Sequence, residues 1–437
     1  ALHLAVLNNP NPVPVIKALL ENGADPDLYD YTPWTPLQTA INGRLDERHR
    51  RYLGPENAII LTLVEGGASM NKGSGRNYTP LGHYLSEFDR RGGIASNEAR
   101  LDLDVVAAMI KAKADLNALE VASVGNTDSP LLHLAVQVDS YRDQPEDTLT
   151  RMFLEGGSNP LARAWRGKTA VHQAAFYGNP KAAALLIKSS PNGGLATAPD
   201  ESGDTPLHVL ARYSVPELPE FGALLLKNGA DVNAADGNGQ TPLHYLADTA
   251  GQIERRQLET PDADESFAAR QKSAQTALIY LIENGARHQA DLGGNLPVHE
   301  LCDSPALPHE ALLVMLRAGA DINSADQHGK TPLMRYTGAA SEALSRKLRI
   351  GYPDGIATFR ARMAGDLIFL IRNGADPSLR DAQGMTAYEQ LPPDVWEQLQ
   401  STEAAVALRE KTASANLFEI CATGCDAARI GEALSKG

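Results

Sequence analysis

The chain has 437 residues, with 40 Lys+Arg against 54 Asp+Glu, a formal charge of −14. A field of that sign repels polyanions and argues against nucleic-acid binding. Hydrophobic residues at 43% allow a real core, while aromatics at 5% suit close packing of small aliphatic helices better than broad sheets. No apolar run approaches the roughly 20 residues needed to cross a bilayer, and no signal-peptide pattern opens at Ala1. Three cysteines (Cys302, Cys421, Cys425) are too few for a disulfide framework, so the expected compartment is a reducing, cytoplasmic one.

Two phrases alternate along the chain. The first opens incompletely at Ala1-Leu2-His3-Leu4-Ala5 and returns at Thr35-Pro36-Leu37, Thr79-Pro80-Leu81, Leu132-His133-Leu134-Ala135 and Thr169-Ala170-Val171-His172. It returns again at Thr205-Pro206-Leu207-His208, Thr241-Pro242-Leu243-His244, Leu296-Pro297-Val298-His299, Thr331-Pro332-Leu333 and Thr386-Ala387-Tyr388. Thr followed by Pro predicts a capped helix start, because Pro tolerates a first-turn position where no N–H is needed. The second phrase is Gly23-Ala24-Asp25, Gly67-Ala68-Ser69, Ala114-Asp115, Gly157-Ser158-Asn159, Gly229-Ala230-Asp231, Gly285-Ala286, Gly319-Ala320-Asp321 and Gly374-Ala375-Asp376. Apolar runs such as Ile16–Leu20 and Leu312–Leu316 precede it, so its Gly predicts a left-handed helix stop. Turn chemistry follows at Asp236–Gly239, Asp326–Gly329 and Asp381–Gly384. The unit is helix, turn, helix, Gly stop, extended turn.

These motifs resemble those of the ankyrin repeat family over nearly the whole chain, with departures where Gln38, Gly82 and Met334 replace the signature His. The stretch Ser189–Pro199 also lacks a clean Gly-Ala-Asp. The resemblance implies an all-α repeat solenoid, a curved array of helix-turn-helix units with short β-hairpin-like turns. It places about ten repeats in 1–400, the first truncated. It also implies that His3, His133, His172, His208, His244 and His299 are struts hydrogen-bonding backbone between neighbouring turns.

The period lengthens between first and second helices at 43–56, 86–103, 138–147, 248–273 and 337–363. Their helical composition predicts longer helices joined by turns at Pro261 and Tyr352–Gly355. Such inserts are either a binding face or neutral expansions of the surface. Residues 401–414 read as a capping or linker helix, and 415–437 as the start of a further, truncated repeat. Both ends fall within a repeat, so a longer parent protein is expected.

No catalytic, cofactor-binding or metal-binding residue is assigned. His49, His83, His288, His309 and His328 are scattered without metal-ligand spacing, and Cys421-x3-Cys425 has no second pair. Gly73-Ser74-Gly75 and Gly92-Gly93 lack the setting of a phosphate loop. What remains is surface. Tyr29, Tyr31, Trp34, Tyr78, Trp165 and Arg166 fall on turns, where they are either interface anchors or packing against the next finger. Arg346 and Arg349, with Lys347, Arg360 and Arg362, lie in the last insert against Glu342 and Asp354, either to hold an acidic partner or as a solvated helix face. The expected function is a monomeric, non-catalytic scaffold binding a protein partner through turn tips, concave helices or helical inserts. The alternative is the targeting or regulatory arm of a larger enzyme or bacterial effector, delivered into a host cytosol.

Overall fold

A computed structural model describes residues 1–31, 33–43, 45–46, 51–52, 56–72, 79–91, 101–121, 128–140, 147–213, 215–259, 266–350, 356–389 and 391. The proposed helix at 401–414, the further repeat at 415–437 and both turns predicted inside the last two inserts lie outside them. Among the described residues the helices come in nine pairs. They are α1 (Leu2–Asn8) and α2 (Pro12–Glu21), α3 (Pro36–Asn42) and α4 (Asn57–Glu65), α5 (Pro80–Arg91) and α6 (Leu103–Lys111). Next come α7 (Leu131–Ser140) and α8 (Thr148–Glu155), α9 (Ala170–Tyr177) and α10 (Pro180–Ser189), α11 (Pro206–Tyr213) and α12 (Leu218–Lys227). The last are α13 (Pro242–Glu259) and α14 (Ser266–Glu283), α15 (Pro297–Cys302) and α16 (His309–Arg317), α17 (Pro332–Ile350) and α18 (Ile356–Arg372).

The chain divides into two compact units, Ala1–Pro206 with Ala223–Ala230, and Leu207–Gly222 with Asp231–Gly437. Each is a stack of helix pairs of the all-α repeat solenoid class. The Leu of the Thr-Pro-Leu phrase is buried at Leu37, Leu81, Leu207, Leu243 and Leu333, and so are second-helix residues such as Ile16, Leu63, Met109, Phe153, Leu281 and Met315. Every repeat therefore buries its apolar stripe against a neighbour, which is why a single repeat has no core of its own.

The histidine struts are present. In α9 the Nδ1 of His172 accepts the Thr169 N–H at 3.1 Å, which leaves the proton on Nε2 to be donated to the Asp204 carbonyl at 2.9 Å. His244 repeats this with Thr241 and Asn295, and His299 with Leu296 and Ser324. His3, His133 and His208 bond the carbonyls of Trp34, Lys168 and Gln240. Three residues before His133 stands Pro130, which has no N–H, and the Nδ1 of His133 is left without a partner. Burial, the largest cause, pushes both His133 and His172 down to about 4. Gln38 performs the same task without an ionisable ring: its Oε1 accepts the Thr35 N–H at 3.0 Å and its Nε2 donates to the Lys72 carbonyl at 3.2 Å.

The turn acids act as predicted. Oδ1 of Asp236 accepts the N–H of Asn238 and Gln240, and Asp326 and Asp381 repeat the pattern two and four residues on. The glycine stop recurs from Gly23 (φ +81) to Gly374 (φ +99); Lys113 stands in that place at φ +64.

One insert and one turn differ from expectation. The 43–56 insert holds a two-stranded ribbon, β1 (Leu45–Asp46) paired with β2 (Arg51–Tyr52), where helical extension was predicted. Gly43, at φ +78 directly after α3, ends the helix before it can lengthen. A second ribbon, β3 (Leu119–Val121) with β4 (Asp128–Pro130), lengthens the turn before α7, where no insert was expected. The 248–273 and 337–363 inserts do become helix, giving α13, α14, α17 and α18 lengths of 17 to 19 residues. Near Ser189–Pro199, where the Gly-Ala-Asp stop is missing, a 3-10 turn spans Pro191–Ala196.

Candidate functional site

Three surfaces carry chemistry. The first is the row of finger tips in the first unit. Each finger is a five-residue loop closed by its first N–H and last carbonyl: Asp30 to Trp34 at 3.3 Å, Ala164 to Lys168 at 2.8 Å and Asp200 to Asp204 at 2.8 Å. The register places Tyr31 and Trp165 at the same tip position, second in the loop, and they are 99% and 54% exposed. Ala164 stands where other fingers have Asp, so no carboxylate holds the Trp165 loop. The Nη1 of Arg163 binds the Gly167 carbonyl at 2.6 Å instead. The Arg166 guanidinium lies 4.2 Å over the Trp165 ring, and Arg166 itself takes the left-handed conformation at φ +58. A non-glycine residue rarely sits there, so the pair is presented by a constrained loop.

The other first-finger candidates divide. Tyr29 is 49% exposed with the Lys72 ammonium 5.4 Å over its ring, so it also braces the following finger. Trp34 is half-buried, with its ring 6.2 Å from that of His83 and its carbonyl holding His3. Tyr78 lies outside the described residues. A tip residue that sequence reasoning missed is Leu292, at the same register as Tyr31 and Trp165 and 78% exposed. Counting one residue past each turn Asp would have found it.

The second surface is a cavity of about 800 Å³ in the second unit, walled by α13, α14, α16 and α18. Its floor is a buried charge network. Asp366, nearly enclosed, accepts the Tyr336 hydroxyl at 2.8 Å, the Leu307 N–H at 3.2 Å and Nε2 of His309 at 2.7 Å. Arg362 donates to the buried Glu254 at 2.6 Å, and Gln271 also donates to Glu254. The His309 ring stacks on Phe369 at 3.9 Å. Burial first, then the Asp366 charge, pushes the Tyr336 phenol well above its usual range. Every carboxylate oxygen named here has a protein partner, so the network is a brace tying the lengthened helices together. Cys302 is buried beside it with its thiol pushed up by burial, which makes it a poor nucleophile.

The third surface is a notch of about 500 Å³ at the end of α15. That helix has six residues, while its neighbours α13 and α17 have 18 and 19 and continue past it. Arg255 of α13 donates to the Asp303 carbonyl at 3.3 Å, and Arg346 of α17 pairs with Glu342 at 3.2 Å on an exposed helix face. Arg349, one turn on, is exposed and has no partner among the described residues. Deeper in, Arg335 is held by Asp326, Asp303 and Asn295, and Glu300 is pushed up to about 7 by burial and then by Asp303 and Asp248.

Among the described residues no group of three His, Cys, Asp or Glu side chains gathers to hold a metal, and no helix is long and apolar enough to cross a membrane. Cys421 and Cys425 lie outside those residues. Residues 132–236 match a family model for ankyrin repeats in three copies, and residues 1–31 match a model for a single ankyrin repeat. No curated protein matches the chain.

Proposed function

Since the chain belongs to the ankyrin repeat family, whose repeats are general protein–protein interaction modules, we propose that it is a non-catalytic scaffold whose finger tips hold a partner protein. The observation that carries this reading is the stacked Trp165–Arg166 pair. It is exposed, presented by a constrained turn, and among the described residues bonded to the next finger only through the Arg166 carbonyl, which accepts the Glu201 N–H at 2.9 Å. The stability of the array therefore does not need these side chains, and Trp and Arg are the residues that dominate interface hot spots. Tyr31 extends the same row, and Leu292 supplies an apolar tip in the second unit.

The test is capture of a partner from lysate by the purified chain, followed by titration of the identified protein. Trp165→Ala with Arg166→Ala should weaken binding about tenfold or more, equivalent to roughly 1.4 kcal/mol, while melting is unchanged. Affinity equal to that of the parent chain would place the contact elsewhere.

A further inference from the structure

We propose that the notch beyond α15 is a docking site for an extended, carboxylate-rich segment of a partner protein. This deepens the scaffold reading and rests on it. The notch arises because a minimal repeat stands between two expanded ones: α15 ends at Cys302, while α13 runs on to Glu259 and α17 to Ile350. Its two walls thus have no first helix between them. The floor on the α17 side is Gly338, Ala339 and Ala343, whose side chains end at Cβ or earlier. A Cβ placed on Gly338 would meet nothing within 4 Å, so there is open room for a polypeptide main chain.

Charge selects the occupant. The exposed rims carry Arg255 on one side and Arg346 on the other, with Arg349 one turn beyond it, against Glu342 and Asp303, on a chain whose formal charge is −14. Of the other acids nearby, Asp326 lies deeper, and Arg335 engages both it and the exposed Asp303. Among the described residues Arg346 is tied only to Glu342, in an exposed i,i+4 pair of a kind that holds its partners weakly. An incoming carboxylate displaces it readily, and Arg349, one turn further on, is exposed and has no partner among the described residues. A carboxylate bound between Arg346 and Arg255 would receive charge-assisted bonds from both walls, which an exposed single helix face cannot offer.

A fluorescein-labelled peptide of alternating Glu and Ser, titrated by anisotropy against the whole chain, tests this. The parent chain should bind it, more weakly as salt rises. Arg255→Ala with Arg346→Ala should weaken binding about tenfold. Gly338→Leu, which fills the notch without touching a charge and suits a helix, should do the same with melting unchanged or higher. The proposal falls if the peptide does not bind, if Gly338→Leu binds as the parent does, or if a phosphoserine peptide or duplex DNA binds as tightly as the Glu peptide. The finger-tip reading fails separately: the Trp165 and Arg166 double variant should bind this peptide normally, so a loss of peptide binding there would break the independence of the two surfaces.

Discussion

The two units use the same repeat for opposite purposes. In the first, helices stay between seven and twelve residues among those described, and the unusual side chains stand on the fingers, where the Arg166 guanidinium lies over the exposed Trp165 ring. In the second, four helices lengthen to 17–19 residues and the unusual side chains are inside, where Asp366, Tyr336, Arg362 and Glu254 bond across repeats. Lengthening a helix creates surface that must be covered or braced, and a finger asks for neither. Chemistry on a finger can thus be altered without disturbing the fold, whereas chemistry in the braced core cannot.

The sharpest way to break that contrast is Asp366→Ala. It strips acceptors from the Tyr336 hydroxyl, the Leu307 N–H and His309, and leaves Arg362 with Glu254 alone. A loss of about 3 kcal/mol or more in urea unfolding is expected. In a nearest-neighbour array the damage stays local, so hydrogen exchange should accelerate in α16–α18 and remain unchanged in α7–α10. Equal acceleration in both would mean the braced and unbraced regions are not distinct.

Next in size is the strut. The folded His172 has a pKa near 4 against 6.5 for the free ring. Above pH 6.5 the ring is neutral in both states. As pH falls from 6.5 to 4 the unfolded chain takes up a proton that the folded chain refuses, so stability is progressively lost, by roughly 3 kcal/mol for such a group. His172→Gln copies the arrangement of Gln38. It should keep stability at neutral pH and remove this residue's share of the acid loss, whereas His172→Ala should cost about 1–3 kcal/mol at neutral pH. Melting curves across pH 4 to 8 separate the two, and a Gln variant as acid-sensitive as the parent would contradict the assignment.

The smallest effect sharpens the contrast most. Arg166→Gly relieves a left-handed backbone and should raise stability by about 0.5 kcal/mol in thermal melting. The same change removes the cation over Trp165 and should weaken partner binding. A variant that is both more stable and less able to bind would show that the finger holds its conformation for recognition. A drop in stability would show instead that Arg166 belongs to the scaffold.

The sequence revealed what is periodic. A Thr-Pro start, a His three residues into the phrase and a Gly stop each act within one repeat or on its neighbour, so their spacing is their meaning. The partnership of Glu254 with Arg362 is different, because 108 positions separate them and only the packing of two inserts brings them together. His309 looked like a scattered histidine for the same reason, since its partners Asp366 and Phe369 arrive from α18. The ribbon at 45–52 was hidden by composition: helix-forming residues fill a segment that Gly43 has already cut off from α3.

One bond between successive fingers has a consequence for how such a chain can change. The N–H of Leu292 donates to the Asn238 carbonyl, that of Gln327 to Gly293 and that of Ala382 to His328. In each case a main-chain bond ties the tip residue to the finger before it, and a glycine beside or after the accepting residue allows the approach: a Cβ on Gly239, Gly294 or Gly329 would come within 2.9 Å of that same nitrogen. That bond reads no side chain. Leu, Gln and Ala serve equally at that position in the second unit, as Trp165 and Tyr31 occupy it in the first. Each tip is therefore a blank letter in a fixed line of type, and a new partner can be spelled by replacing letters while the line itself stays set.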